Sequence, residues 1–341
     1  MSDDLSRDDY LWTAAGEPDP EIARLEALLA PYAHRGTLPP LPARAPRRRA
    51  LHVVLPIVTA AASLALVIAA AWFTSTARPP GSWSVQSLAG APAVAGSPIA
   101  GPSRLAVGQA LTTDAQSRAR IAVGEIGRVD VEPNSRVRLI RSRPGEHRMA
   151  LDRGRIAAQI WAPPRYFFVT TPSATAIDLG CAYTLDVDAA GAGMIRVTHG
   201  WVAFEYEGRE SFIPQGAVCA TRPGFGPGTP RFADAPARLE RALPVLDFSA
   251  LADPRRAAAL ADLLASARAR DALTLWHLLS RGTPEERAKV YDRLVTLVPP
   301  PASASREAVL RADRRALDDW WNELGLDSAS WWRVWKSPWR E

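Results

Sequence analysis

The chain has 341 residues, with 41 Lys and Arg against 36 Asp and Glu, a net charge of +5 and an isoelectric point of about 9.6. Apolar residues make up 47% and charged residues 23%, a balance that excludes a disordered or fibrous chain and allows one or two real cores. The basic residues are dispersed apart from Arg44, Arg47, Arg48 and Arg49, so nothing resembles the basic stripe of a nucleic-acid-binding protein.

Residues 1–50 are too few for an independent core. Within DPEIARLEALLAPYAHRG, Ile22, Leu25, Leu28 and Leu29 recur at helical spacing, with Asp19 at the N-cap position, Pro20 at the first helical position and Gly36 beyond the end. An amphipathic helix is predicted. Its apolar stripe, with Tyr10, Leu11 and Trp12, finds too little within the segment to bury it, and so dimerises, lies on the membrane or binds another protein. Trp12, Ile22, Leu25, Leu28 and Leu29 are the candidate partner-binding residues. TLPPLPARAPRRR reads as an extended basic linker.

Leu51 to Phe73 is a run of 23 residues without Asp, Glu, Lys or Arg. At about 1.5 Å per residue such a helix covers about 35 Å, against about 30 Å for a hydrocarbon core. One transmembrane helix is predicted. Four arginines precede it and only Arg78 closely follows, which puts the N-terminus in the cytoplasm and the bulk of the chain outside. The arginines would also touch anionic lipid. A cleaved signal peptide, the alternative, carries a shorter apolar region nearer the start.

Residues 74–104, rich in Gly, Pro, Ser and Ala, read as a flexible stalk. From 105 to 222 apolar residues alternate in short runs, as in Ile121 and Val123, Val129 and Val131, and Val137 and Leu139. Turn chemistry separates the runs at Glu132 to Ser135, Arg143 to Glu146, Asp188 to Gly193 and Glu207 to Arg209. An all-β domain is predicted. Residues 223–248 read as a Gly/Pro linker, and 249–341 as a Trp-rich α-helical domain in which Thr283-Pro284-Glu285-Glu286 caps a helix running to Val298.

Chemistry-bearing residues do not assemble. His34, His52, His147, His199 and His277 are scattered without a ligand spacing, and no G-x-S-x-G elbow occurs. His199 and Asp178 read as solvated polar residues near turns. No catalytic residue, metal site or cofactor is expected, and the protein is not expected to be an enzyme. Cys181 and Cys219 both fall on the outward side, where they either form a disulfide or stay as two small buried hydrophobes.

An ordered series of segments runs LAVGQALTTDAQSRARIAV, GRVDVEPNSRVRLI, LDRGRIAAQI, FFVTTPSATAIDLGCAYTLDV, IRVTHGWVAFE and PQGAVC. It resembles the FecR domain of single-span bacterial membrane regulators. The positions that carry the resemblance are Gly108, Thr113, Glu132 to Ser135, Gly154, Val169, Thr171, Pro172, Gly180, Val187, Val197, Gly200 and Val202. Cys181 stands where the family usually has Thr, and Tyr183 where Phe is common.

The resemblance implies an anti-sigma-factor-like regulator of the bacterial inner membrane. Its periplasmic domain would sense a signal from an envelope protein or ligand, and its cytoplasmic end would hold an extracytoplasmic-function sigma factor. The alternative is a non-enzymatic envelope adaptor or scaffold that binds a peptide or glycan, with residues 1–50 as a mere anchor. The expected fold class is a multidomain membrane protein, with a short cytoplasmic helix, one transmembrane helix, an all-β FecR-like domain and a C-terminal α-helical domain.

Overall fold

The computed structural model of the protein describes residues 19–32, 81–99 and 101–326. The chain divides into two compact units, residues 1–75 and 76–341. In the first, α1 (Pro20–Leu29) forms where the periodicity predicts it and continues as a tight turn over Ala30–Tyr32. The expected span at Leu51 to Phe73 lies outside the described residues, among which no helix is long and apolar enough to cross a membrane.

The second unit opens with a large β half-barrel made of two joined sheets, followed by helices. One sheet runs β4 (Ser103–Ala106), β1 (Ser82–Ala89), β6 (Arg118–Val123), β7 (Gly127–Val131), the second half of β9 (Glu146–Ile160), β12 (Ala182–Val187), β13 (Gly193–His199) and β16 (Ala217–Arg222). Along β16 lie β17 (Gly226–Pro227) and β18 (Arg231–Phe232). The other sheet runs β3 (Ser97–Pro98), β2 (Ala93–Val94), β5 (Ala110–Thr112), β8 (Arg136–Arg143), the first half of β9, β10 (Phe167–Thr170), β11 (Thr175–Asp178), β14 (Trp201–Tyr206) and β15 (Arg209–Pro214). Among the described strands β9 and β10 pair parallel, and the other pairings are antiparallel.

Period-two patterning fills the interior. Ala119, Ile121 and Val123 of β6, Val129 and Val131 of β7, and Ile156 and Ala158 of β9 are buried, while the intervening arginines point out. On the outer face Arg120 and Asp130 sit opposite each other, with nitrogen to oxygen distances of 2.6 and 2.9 Å. Arg138 grips Asp152 in the same way across β8 and β9.

Strand β9 changes sheets at Gly154. Up to Arg153 it pairs with β8, and from Gly154 on it pairs with β12 and then also with β7. Gly154 has φ +94°, and a Cβ there would lie 2.2 Å from Ser135 Oγ and 2.4 Å from Ser135 Cα. Ser135 needs that approach, because its hydroxyl accepts from Arg155 N at 2.9 Å. Its own N–H donates to Thr113 Oγ1 at 2.9 Å, and that hydroxyl donates to Glu132 O at 2.7 Å. Residues 113, 135 and 154, remote in sequence, thus form one backbone lock.

Two boundaries differ from the sequence reading. The stalk expected over 74–104 already contains β1 to β3, with Trp83, Val85, Val94 and Ile99 buried. Its small residues form turns between very short strands, and Trp83 fixes it by donating from Nε1 to Ser142 Oγ at 3.0 Å. The linker expected over 223–248 packs closely too: β17 and β18 add to the sheet, Gly226 runs against Tyr206 and Gly228 against Asp247, and α2 (Ala237–Phe248) begins within it.

After α2 come α3 (Arg255–Ser266), α4 (Ala272–Leu278), α5 (Pro284–Leu297), α6 (Arg306–Leu310) and α7 (Arg314–Asn322). Thr283 and Glu286 close a reciprocal capping box at α5, as the motif predicts. Between α6 and α7 the helical run breaks at Ala312, whose φ is +56°, and Asp313 then caps α7. Arg256 of α3 is buried and joins three helices, donating to Leu246 O at 2.6 Å and to both Glu286 oxygens at 2.9 and 2.8 Å. Trp320 and Trp321 are core residues. Trp331, Trp332, Trp335 and Trp339 lie outside the described residues.

The lock at Gly154 sets a stability test. Gly154→Ala combines strain at positive φ, about 1 to 3 kcal/mol, with overpacking against Ser135 of about 1 to 3 kcal/mol. Denaturant unfolding of residues 76–341 is expected to show a loss of roughly 2 to 6 kcal/mol by those terms, whereas Gly208→Ala, whose Cβ would meet nothing within 4 Å, carries only the strain.

Candidate functional sites

The first candidate is α1. Asp19 accepts from Glu21 N at 3.0 Å, and Pro20 opens the helix. None of its residues is buried: Ile22 is half-exposed, and Leu25, Leu28 and Leu29 are 58%, 63% and 64% exposed. A helix of ten residues is marginal by itself, so an open leucine stripe of this kind forms stably when something covers it. Trp12, the fifth residue assigned to this surface, lies outside the described residues.

The second candidate lies where the helices meet the half-barrel. Strand β15 is a sheet edge, and its backbone is read by side chains of α4 and the turn after it. Thr274 Oγ1 donates to Pro230 O at 2.8 Å, beside that edge; Phe212 N donates to His277 Nε2 at 3.0 Å; Arg281 Nη2 donates to Glu210 O at 2.7 Å. Positions 274, 277 and 281 share one helical face. His277 Nδ1 lies 2.8 Å from Leu273 O, which makes Nδ1 the protonated nitrogen and leaves Nε2 as the acceptor. His277 is therefore a backbone cap rather than a ligand. Polar residues at this spacing in the apolar run ALTLWHLLSR were the available sequence signal.

Beneath that face lies a buried ion cluster. Asp247 accepts from Thr229 N and Oγ1, both at 2.7 Å, from Arg209 at 3.2 Å and from Arg281 at 3.5 Å. Arg281 also donates to Thr229 Oγ1 and Ser211 Oγ. Burial lowers its pKa to about 10, which leaves it charged at neutral pH. Beside the cluster opens a cleft of about 860 Å³, walled by the β14–β15 turn, by Phe212, by Trp276, His277, Ser280 and Arg281, and by Arg314, Leu317 and Asp318 of α7.

The third candidate is the crossing between β11 and β12. Asp178, read from sequence as solvated, is 1% exposed. One carboxylate oxygen accepts from Gly180 N at 2.7 Å, and the other from Cys181 Sγ at 2.6 Å. The Tyr183 hydroxyl is buried nearby without a hydrogen-bond partner. Gly200 seals the crossing, since a Cβ there would lie 2.3 Å from Gly180 O. Burial, outweighing these hydrogen bonds, pushes Asp178 up to about 7.

The disulfide alternative does not hold in the structure: both thiols are free and buried. Cys219 sits opposite Ile195, which sits opposite Leu185, so Cys219 is two strands from a residue four positions after Cys181. At about 4.8 Å per strand and about 3.3 Å per residue the Cα atoms are roughly 16 Å apart, beyond the reach of about 7 Å for a bridge. Cys219 instead donates to Gly228 O at 3.2 Å, and burial pushes its thiol up to about 12. His199 is exposed, as expected, and among the described residues no group of three His, Cys, Asp or Glu could hold a metal ion.

Asp178 makes a pH test. Its folded pKa lies above its unfolded value, so its contribution to stability is complete below about pH 4 and is lost as pH rises toward 7. A shift of about three units corresponds to on the order of 4 kcal/mol. Relative to the wild type, Asp178→Asn should gain stability steadily between pH 4 and pH 7 and then level off. A pH series of urea unfolding curves for both proteins checks it; parallel curves would refute the assignment.

No curated protein is similar enough to count as a match. Two crystal structures of a "putative anti-sigma factor" from Parabacteroides distasonis are similar over 39% of this chain, at 12% identity and a TM-score of 0.33. The matched part spans 63% and 62% of those chains. The family model described as FecR protein matches residues 109–203, which run from β5 into β14 and include the lock at Thr113, Ser135 and Gly154. The half-barrel of this chain carries a FecR domain.

Proposed function

We propose that the chain is a single-pass regulator of the bacterial inner membrane. Its FecR domain receives a signal in the periplasm, and its N-terminal segment holds a cytoplasmic partner, an extracytoplasmic-function sigma factor. The protein acts by binding rather than by catalysis. The observation that most supports this reading is α1, a capped helix whose leucine stripe is exposed throughout. An anchor that only tethers a scaffold needs no such stripe. The charge-free run Leu51 to Phe73 and the arginines before it support the topology.

With one crossing helix, the signal passes by a change of oligomeric state, by helix displacement or by cleavage. Each route ends at the same place, since α1 must either keep or lose its partner.

Two measurements test the reading. A reporter active only outside the cytoplasm is expected to be active when fused after Glu341 and silent when fused at Arg49; the reverse pattern overturns the topology. In the full chain, Leu25→Asp with Leu28→Asp removes about 1.5 to 3 kcal/mol of burial for each leucine. Co-purification of the sigma factor should then be lost while membrane insertion persists. Undiminished retention would refute α1 as the holding element.

A further inference from the structure

One end of the half-barrel gathers its short turns around the point where the chain enters it. Gly81 precedes β1, and a Cβ there would lie 3.4 Å from Val107 in the β4–β5 turn and 3.5 Å from Ser142 O of β8. Trp83 Nε1 donates to Ser142 Oγ at 3.0 Å, which ties the β8–β9 tip to the same place. The β6–β7 turn joins them, since a Cβ at Gly124 would meet the His147 ring at 3.4 Å and Trp161 donates from Nε1 to Glu125 O at 3.0 Å. Tyr166 is held there by its carbonyl, which accepts from His147 N at 2.7 Å.

This end is both apolar and cationic. Trp161 is 64% exposed, and Val107 and Tyr166 are exposed with it. Beside them Arg141, Arg143 and Arg148 share one carboxylate, that of Glu146. The guanidinium of Arg148 above all, with those of Arg141 and Arg143, holds Glu146 down at about 2, so it stays ionised and cancels one of the three charges. Arg104 and Arg128, near the same end, reach the neutral groups of Ser82 and Gln159. Glu125 is the other carboxylate there, so the balance is positive.

Granted the single crossing proposed above, on which this rests, we propose that this end of the half-barrel docks on the anionic headgroup surface of the membrane the chain spans. Arg141 and Arg143 meet the lipid phosphates, and Trp161 and Tyr166 lie at headgroup level. Indole and phenol rings favour that depth, where one edge is apolar and the other wet. Cations brought within about 8 Å of an anionic surface are attracted at physiological salt, each strengthening contact roughly fivefold. Chain length brings them close. Only residues 74–80 lie between the run Leu51 to Phe73 and Gly81, a reach of at most about 28 Å, so Gly81 and the turns around it are held within that distance of the bilayer. The docked half-barrel turns its opposite end, with the β16–β17 turn at Phe225, away from the lipid.

Headgroup quenching in the full chain, reconstituted in vesicles, tests it. A bimane label is attached at Val107→Cys or, in a separate sample, at Phe225→Cys, both exposed positions, while the native Cys181 and Cys219 are buried. In vesicles of phosphatidylcholine and phosphatidylglycerol that carry a headgroup-quencher lipid, the label at 107 is expected to be quenched and the label at 225 to stay bright. Arg141→Gln with Arg143→Gln should lower the ratio of docked to undocked label at 107 roughly 25-fold, and vesicles of phosphatidylcholine alone should lower it at least as far. Resistance to alkaline carbonate extraction is read on the same vesicles. Extraction of the chain overturns the crossing, and the docking with it. A chain that stays inserted overturns the docking alone if position 107 is not quenched, if position 225 is quenched equally, or if quenching survives the double variant or the loss of phosphatidylglycerol.

Discussion

A strand that belongs to two sheets must change direction without breaking its hydrogen-bond ladder, and β9 meets that demand at Gly154. The half-barrel depends on this point because β9 pairs with four other strands, two on each side of the change. A residue with a side chain there would collide with Ser135 and adopt an unfavourable φ. The hydroxyls of Ser135 and Thr113 then take up backbone groups that the change of sheet would leave unpaired. The second crossing, at Gly180 and Gly200, uses the same device of close backbone approach. The residues that carry the FecR resemblance, Thr113, Ser135, Gly154, Gly180 and Gly200 among them, are therefore largely conditions of the fold.

The ends of the sheets explain why the helices attach where they do. An edge strand exposes unpaired backbone groups that invite wrong partners. At β15 they are met by His277 and Arg281, projecting from one face of α4 and its following turn. The attachment is specific because it is polar: a buried N–H such as that of Phe212, left without its acceptor, loses about 1 to 3 kcal/mol. Two guanidinium groups share Asp247, and its remaining lone pairs go to Thr229, so the buried charges are paired and hydrogen-bonded together. The helices thus serve as the cover of a sheet edge and as one wall of a cleft.

Much of this was legible in the residues. Alternation located β6, β7 and β8 and the all-β region around them, turn chemistry marked four of the turns between strands, and the Thr283 to Glu286 motif marked the start of α5. Composition misled at 74–104 and at 223–248, because Gly, Pro and Ser that suggest a tether also build turns between strands of two residues. Asp178 escaped for a different reason. Its burial follows from a sheet crossing whose partners, Gly200 and Tyr183, are distant in sequence, and the adjacent Gly180 suggests only an exposed turn. The same long-range placement separates Cys181 from Cys219, although Cys181, Tyr183, Leu185 and Val187 all face the interior.

Magnitudes bear on the proposed role of α1 as a holding element. Covering three leucines contributes roughly 5 to 9 kcal/mol by area burial, while association alone opposes binding by an estimated 4 to 15 kcal/mol. The stripe of Leu25, Leu28 and Leu29 therefore holds a partner weakly unless the contact extends to further apolar residues. Tyr10, Leu11 and Trp12 are the nearest such residues in the sequence. Because α1 is too short to be stable alone, partner contact and helix formation reinforce one another. Release then requires only a small bias, since about 1.4 kcal/mol changes occupancy of a weak complex tenfold.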